Sequence, residues 1–262
     1  MDSRPFDGGS FAALGQSLYR IEKVENEAIV LQYLRKHTTI PVPRLFGVGM
    51  ITLGPYIVEE FVERDLASVP FKESGIELQN WNPNISEQKL KVLYREMANI
   101  VLEMSKPEFT RIGSLVQTVK NGYTIGRRPI TKHLNELAMN ANLGPQHFSN
   151  SIYTTSVGYF ESLVEQHMAQ LRNQRNNCVT DEHDYKKKYI ARCLFLRIAA
   201  HMAIKYSTGP FRLFCDDFRP SNVIAHTEPF HINAVIDLEF TYAAPSAFTY
   251  AAPWWLLLQN PE

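Results

Sequence analysis

One ten-residue segment near the carboxyl end, CDDFRPSNVI at residues 215–224, constrains this chain more than any other. It places Asp217 and Asn222 five residues apart, and Pro220 restricts the backbone between them. Read alone, these residue types also favour an exposed turn, because Asp, Pro, Ser and Asn are all common in turns. The segment therefore has two interpretations: a surface turn, or a loop that holds a carboxylate and a polar ligand at a fixed separation.

The segment that follows favours the second interpretation. INAVIDLEF, residues 232–240, has the apolar content of a strand, and it presents Asp237 and Glu239 on one face because strand side chains two apart point the same way. In a phosphoryl-transfer site one carboxylate orients the attacking hydroxyl and takes its proton, while an amide and a second carboxylate hold Mg²⁺. An acid, an asparagine and a strand-end acid in this order fit those three roles.

Composition limits the partners that we expect. The 262-residue chain carries 27 basic and 27 acidic side chains, so no overall charge attracts nucleic acid or an anionic membrane. The three cysteines, Cys178, Cys193 and Cys215, are widely spaced, which argues against a disulfide framework and a zinc site. The sequence has no signal-peptide core and no apolar run near the roughly 18 residues of a membrane span. We expect a soluble, cytoplasmic protein that binds neither nucleic acid nor membrane.

The amino-terminal part has the pattern of a small α+β unit. SLYRIE, residues 17–22, has the aromatic and β-branched content of a short strand, and residues 24–37 have apolar positions at helical spacing. Pro41 and Pro43 exclude a continuation of that helix, because each pushes the preceding residue toward extended geometry. GPYIVEEFVE, residues 54–63, is typical of a second strand with a charged exit.

From Ser86 onward the pattern is mainly helical. Helices are predicted over residues 86–106, 149–173 and 185–207, each from apolar residues at helical intervals. The segments FTRIGSL and GRRPIT between them are predicted as loops. The helical pattern stops after residue 210, and residues 211–240 predict strand, loop, short strand, turn and strand.

These residues resemble the aminoglycoside phosphotransferase and choline kinase-like family, whose members share the protein-kinase-like fold. The family's loop reads His-Gly-Asp, four residues, Asn, and its next strand carries Ile-Asp-x-Glu. This sequence has Cys215-Asp216-Asp217, four residues, Asn222, and then Ile236-Asp237-Leu238-Glu239. The segments ENEAIVLQYL, TTIPVP and GPYIVEEFVE are similar to the family's first helix, its connector and the strand into its hinge, so the resemblance covers nearly the whole chain.

The resemblance implies a fold and an activity. The fold would be α+β and two-lobed, with a small β-containing N-lobe and hinge over residues 1–66, which we expect to be incomplete, and a larger, mainly helical C-lobe over residues 67–262 with the catalytic loop and metal-binding strand. The activity would be ATP-dependent transfer of the γ-phosphate to a hydroxyl of a small-molecule acceptor, with Mg²⁺. Asp217 would be the catalytic base, and Asn222 and Asp237 would be the metal ligands.

Nucleotide contacts are implied in the same way. Glu27 would pair with a basic residue that contacts the phosphates. We favour Arg20 as that cation, in the predicted strand, against the alternative of an ordinary arginine facing solvent; Lys23 lies beyond that strand. The adenine would sit against the hinge residues Glu60, Phe61 and Val62. Few residues precede the first helix and the chain ends soon after AAPWWLLL, which suggests a shortened family member or a fragment.

Two departures from the family pattern leave the activity open. Cys215 replaces the family's histidine and cannot make the same pair of hydrogen bonds. Asp216 replaces a glycine, and this second acid either raises the pKa of Asp217 by repulsion or faces solvent. A kinase-like pseudoenzyme or scaffold without turnover is therefore a second hypothesis. A metal-dependent hydrolase that uses Asp216, Asp217 and Asp237 is a third.

Overall fold

A computed structural model describes residues 19–63, 65–69, 85–139, 143–173, 178–227 and 230–257. The first described element is helix α1 (Arg20–His37), which packs against an antiparallel hairpin of β1 (Leu45–Ile51) and β2 (Gly54–Glu59). Helix α1 ends where the hydroxyl of Thr38 donates to the Leu34 carbonyl at 2.7 Å. This end lies just before Pro41 and Pro43, as the sequence predicted. The predicted helix is present, and the α+β class is confirmed.

The prediction of a strand at SLYRIE is wrong in its described part. Arg20–Glu22 form the first turn of α1, and Tyr19 is the residue before the helix; Ser17 and Leu18 lie outside the described residues. Helical geometry here turns Lys23 and Asn26 toward the segment 239–241, which each of them contacts. These distant contacts, rather than the apolar content of six residues, determine the local structure.

The middle of the chain contains a helix that the sequence predicted and a hairpin that it did not. Helix α2 (Glu87–Ser105) begins after Ser86, whose hydroxyl accepts a hydrogen bond from the backbone nitrogen of Lys89 at 3.3 Å. Strands β4 (Ser114–Gln117) and β5 (Tyr123–Arg127) pair antiparallel, so the prediction of loops at FTRIGSL and GRRPIT is only partly right. Helix α3 (Lys132–Met139) follows directly.

Two long helices, α4 (Ser156–Asn173) and α5 (Glu182–Ala203), pack against each other and confirm the predicted helical region. The chain then returns through β6 (Arg212–Cys215) to the strands near its carboxyl end. None of the described helices is long and apolar enough to cross a lipid bilayer. Cys178, Cys193 and Cys215 are all free thiols.

The pairing of the last strands positions the two segments that carry the predicted site acids, residues 215–222 and residues 236–239. Strand β6 pairs antiparallel with β9 (Thr241–Ala244), and β7 (Val223–Thr227) pairs antiparallel with β8 (Phe230–Val235). The loop between β6 and β7 therefore lies beside the connection between β8 and β9. Strand β3 (Asp65–Leu66) adds to β7, close to the predicted lobe boundary at residue 66; that boundary stays a prediction.

The hydrophobic core lies under these strands and α2. Its largest fully buried side chains include Tyr242, Phe211, Leu93, Met97 and Leu213. Near the carboxyl end, helix α6 (Ser246–Thr249) precedes Trp255, which is only 3% exposed. The Trp255 ring centroid lies 5.8 Å from that of Tyr94 and 6.4 Å from that of Phe218 in the loop after β6.

Candidate active site

Asp217, Asn222 and Asp237 converge at one place, as the family resemblance implied. The side-chain nitrogen of Asn222 donates to the Asp217 carbonyl at 2.8 Å and lies 3.3 Å from Oδ2 of Asp217 and 3.3 Å from Oδ2 of Asp237. Asp217 and Asn222 are 5% and 6% exposed, so little water competes for these contacts. The short 3₁₀ turn Pro220–Asn222 turns the asparagine back toward the acid five residues before it.

Asp237 reaches this site through an unusual backbone conformation. Its φ of 58° is in the left-handed region, which few residues other than glycine adopt but which Asp and Asn tolerate best. The preceding residue, Ile236, donates its backbone N–H to the carbonyl of Asn222 at 3.0 Å. Burial, followed by the nearby charge of Asp217, raises the pKa of the Asp237 carboxyl. The turn thus places a second carboxylate beside Asn222 at an electrostatic cost.

Two cations occupy the other side of Asp217. The ammonium of Lys132 lies 2.6 Å from Oδ1, and Nε of Arg219 lies 3.3 Å from the same oxygen. The two carboxylate oxygens therefore differ, because Oδ2 faces Asn222 while Oδ1 faces the cations. Lys132 is a site residue that the sequence did not predict; it is the first residue of α3, directly after the predicted loop GRRPIT.

Asp216 does not simply face solvent. Its Oδ2 accepts the backbone N–H of Lys132 at 3.1 Å, and its Oδ1 accepts the hydroxyl of Tyr242 at 3.4 Å. The Tyr242 hydroxyl lies in turn 2.9 Å from that of Tyr159 on α4. Burial raises the pKa of Asp216 to about 7. The acid that replaces the family's glycine therefore connects the loop to the start of α3.

The loop is held without the family's histidine. Cys215 is buried, and that burial raises the pKa of its thiol to about 12, so the sulfur remains a neutral thiol. Backbone hydrogen bonds take over the support: the N–H of Asp216 donates to the Phe240 carbonyl at 3.2 Å, and that of Phe218 donates to the Cys215 carbonyl at 3.2 Å. Asn222 closes the loop through the Asp217 carbonyl.

Helix α1 contacts the backbone of the residues that follow Asp237. Glu27 accepts the backbone N–H of Leu238 at 3.0 Å, and Asn26 donates to the carbonyls of Glu239 at 2.8 Å and Thr241 at 2.9 Å. Burial raises the pKa of Glu27 to about 8. No lysine or arginine forms an ion pair with Glu27 within the described part of the chain, so its pairing with a cation stays a prediction.

The other residues with a predicted nucleotide contact are Arg20 and the three hinge residues. Arg20 donates to the carbonyl of Leu53, in the turn of the β1–β2 hairpin. Glu60, Phe61 and Val62 follow β2 without regular secondary structure; Glu60 exchanges hydrogen bonds with the backbone of Arg44, and Phe61 is 87% exposed. These placements fit a connecting segment, and the adenine-binding role of the three residues stays a prediction.

A cavity of about 360 Å³ borders the loop through Cys215, Asp216 and Phe218, and its lining includes neither Asn222 nor Asp237. Its lining is largely apolar, with Met104 of α2, Phe218, Phe248 and Trp255, and Asp216 is the acid at its edge. None of the residues that line it belongs to the segment 105–180, in which Lys132 lies. The contact between Lys132 and Asp217 is what connects that segment to the loop.

The donor set bears on which metal fits here. Within the described ranges, no group of three or more His, Cys, Asp or Glu side chains is arranged to hold a metal ion. Asp237 and the amide of Asn222 would supply two oxygen ligands to a bound Mg²⁺, which keeps its other positions for phosphates and water. Asp216 is bonded to Lys132 and Tyr242 instead, which disfavours the three-aspartate hydrolase.

Comparison with known proteins identifies the arrangement. The sequence model of the phosphotransferase enzyme family, abbreviated APH, matches residues 16–251, which is most of the chain. No individual curated protein gives a significant match. The matched range includes helix α1, the loop with Asp217 and Asn222, and Asp237. With that coverage and this convergence of side chains, the chain belongs to the phosphotransferase enzyme family.

Proposed function

We propose that this protein transfers the γ-phosphate of ATP to a hydroxyl group of a small molecule. One observation carries this proposal: Asn222 lies within hydrogen-bond distance of both Asp217 and Asp237, although these two acids are 20 positions apart in the chain. A surface turn would not gather one buried acid, Asp217, and one partly buried acid, Asp237, around one amide. Phosphoryl transfer depends on positioning and on charge neutralisation, and this arrangement supplies both.

Each of the three residues has a role that its contacts support. Asp217 is the acid that orients the acceptor hydroxyl and takes its proton. Asn222 uses its nitrogen to hold the Asp217 carbonyl, which leaves its amide oxygen for a metal. Asp237 supplies the second oxygen, and the repulsion between its carboxylate and Asp217 favours a cation between them. Mg²⁺, when bound with ATP, would neutralise the phosphate oxygens at these two ligands.

The acceptor would approach from the side of Lys132. Oδ1 of Asp217 faces Lys132 and Arg219, whereas Oδ2 faces the metal ligands. Lys132 is 34% exposed along its side chain, so a small molecule can reach it from solvent. An alcohol that binds here meets a carboxylate and two cations at once, and the cations would stabilise the charge on the transferring phosphoryl group.

The same ion pair favours a second candidate function. Lys132 and Arg219 already occupy Oδ1 of Asp217, so this contact alone gives the acid a structural role as an ion-pair partner. A kinase-like scaffold that binds nucleotide without turnover would keep this contact permanently. The two candidates differ in turnover and agree in nucleotide binding.

Two measurements separate these candidates. The first is titration calorimetry of the protein with Mg·ATP, and the second is ADP formation over a panel of alcohols that includes aminoglycosides, choline and hydroxy amino acids. Binding together with acceptor-dependent ADP formation supports the phosphotransferase. Binding without ADP formation over the whole panel supports the scaffold. A folded protein that does not bind Mg·ATP would contradict both.

A further inference from the structure

Lys23 is a buried lysine at the point where α1 contacts residues 237–239, called here the acidic segment. It is 8% exposed, its ammonium lies 2.8 Å from Oε1 of Glu239, and the same nitrogen lies 5.0 Å from the centroid of the Phe240 ring. Buried lysines are rare unless they are paired. Its position is well fixed, because Asn26 and Glu27 on the next turn hold α1 to the backbone of residues 238–241.

The charges around Lys23 are mostly negative. Asp237 and Glu239 lie on either side of Leu238, and burial raises the pKa of each carboxyl while Lys23 lowers it. Within the described residues, no other lysine or arginine forms an ion pair with residues 237–239. Lys132 and Arg219 are bound to Asp217 instead. Lys23 is therefore the cation on the helix side of the metal ligands.

Arg20, the cation that the sequence favoured, faces a different direction. It lies in the first turn of α1, and its guanidinium donates to the carbonyl of Leu53 in the hairpin turn. Lys23, three residues later on the same helix, faces the acidic segment with Glu239. Of the two, only Lys23 contacts the connection between β8 and β9, which carries Asp237 and Glu239.

We infer that Lys23 is the residue that binds the phosphates of ATP, delivered from helix α1 and held in place by Glu239. This assignment rests on the proposed phosphotransferase function. A lysine ammonium is a compact charge with three donors, so it can keep Glu239 while it also binds a phosphate oxygen beside Asp237. Glu239 thereby performs for Lys23 the holding role that the resemblance gave to Glu27.

Nucleotide affinity tests this role separately from folding. Lys23→Met removes the charge and keeps the length of the side chain, and calorimetry would measure its affinity for Mg·ATP, Mg·ADP and adenosine. We expect the affinity for both phosphorylated ligands to fall about tenfold or more, with adenosine affinity unchanged. Lys36→Met, which alters an exposed lysine at the end of the same helix, is the matched control and should bind all three ligands as the wild type does.

A purely structural ion pair gives a different pattern. If folded Lys23→Met binds Mg·ATP as tightly as the wild type does, the assignment is wrong while the proposed function stands. If the single variant does not fold because Glu239 is left buried and unpaired, Lys23→Met combined with Glu239→Gln removes both charges and serves instead. A wild-type protein that binds adenosine but gains nothing from the phosphates would contradict the proposed function together with this assignment.

Discussion

Lys132 is bound by two consecutive acids through two different parts of its structure. Asp216 accepts its backbone N–H at 3.1 Å, and Asp217 holds its ammonium at 2.6 Å. The first contact fixes the start of helix α3, and the second places a charge at the proposed base. The loop after β6 is thus connected to α3 in both position and charge.

Replacement of Asp217 tests the proposed base. We expect Asp217→Asn to lower turnover by a factor of about 10²–10⁴, because the amide cannot take the acceptor's proton. Mg·ATP affinity should stay within about threefold, since the proposed metal ligands Asn222 and Asp237 are unchanged. ADP formation and calorimetry measure the two quantities. Glu87→Gln, an exposed acid on α2, is the control. Retention of most of the activity by Asp217→Asn would exclude this role.

Asp237→Asn tests the metal ligand without disturbing the backbone. Asparagine tolerates the left-handed conformation, with φ of 58°, as well as aspartate does, whereas alanine would add strain. We expect the Mg²⁺ concentration for half-maximal nucleotide binding to rise about tenfold or more, because one charged ligand is lost. Asp65→Asn on the short strand β3 provides the comparison. An unchanged Mg²⁺ requirement would show that Asp237 does not hold the metal.

Asp216 gives stability a pH dependence of known sign. Its pKa is about 7 in the folded protein against 3.8 as the ordinary value, so the folded state binds the extra proton and loses stability as pH rises from about 4 to about 7. Asp216→Asn stays neutral and can keep both contacts. The melting temperature of this variant relative to the wild type should therefore increase with pH, by an amount that corresponds to at most roughly 4 kcal/mol.

The pH series has an internal check. Glu27 has its pKa raised in the same direction, to about 8, so Glu27→Gln should give a similar trend that continues to higher pH. Asp216→Ala should be less stable than Asp216→Asn by about 1–3 kcal/mol, because the Lys132 N–H then loses its acceptor. A difference between Asp216→Asn and the wild type that does not change with pH would contradict the raised pKa.

The adjacent arginines Arg127 and Arg128 each pair with a glutamate, so they allow the effect of burial on the stability of an ion pair to be measured at constant charge. Arg128 is 6% exposed and binds both carboxylate oxygens of Glu22, with Nη2 2.9 Å from each. Arg127 binds Glu25 in a pair that is about half exposed. We expect Arg128→Lys to cost about 1–3 kcal/mol, because lysine lacks the planar fork, and Arg127→Lys to cost less than about 1 kcal/mol. Urea unfolding measures both, and equal costs would contradict the role of burial.

The sequence predicted the centre of the site because its signal is local. Asp217 and Asn222 are five positions apart with a proline between them, and Asp237 closely follows an apolar segment that forms β8 up to Val235. Lys132 gave no such signal, because its contact with Asp217 joins residues 85 positions apart and depends on the start of α3. The same is true of Lys23, which meets Glu239 only because α1 begins earlier than its apolar spacing indicated.

The sequence does contain a signal for the β4–β5 hairpin, although the prediction of loops did not use it. Asn121 and Gly122 lie between two apolar segments, and an Asn-Gly pair in that position is a strong hairpin indicator. In the structure Asn121 has a φ of 55°, and the Thr118 N–H donates to the Gly122 carbonyl at 2.9 Å. By contrast, the start of α1 could not be read from SLYRIE, because its contacts with residues 238–241 decide it.

Trp255 provides a fluorescence signal that is sensitive to the loop after β6. Its indole is almost completely buried against Phe218, one residue after Asp217, and against Tyr94 of α2. Indole fluorescence responds to the polarity and packing of its surroundings, so any rearrangement of the loop that moves Phe218 changes the emission of Trp255. Trp255 thus adds a signal from the loop to the combined emission of the chain's three tryptophans, without an added label.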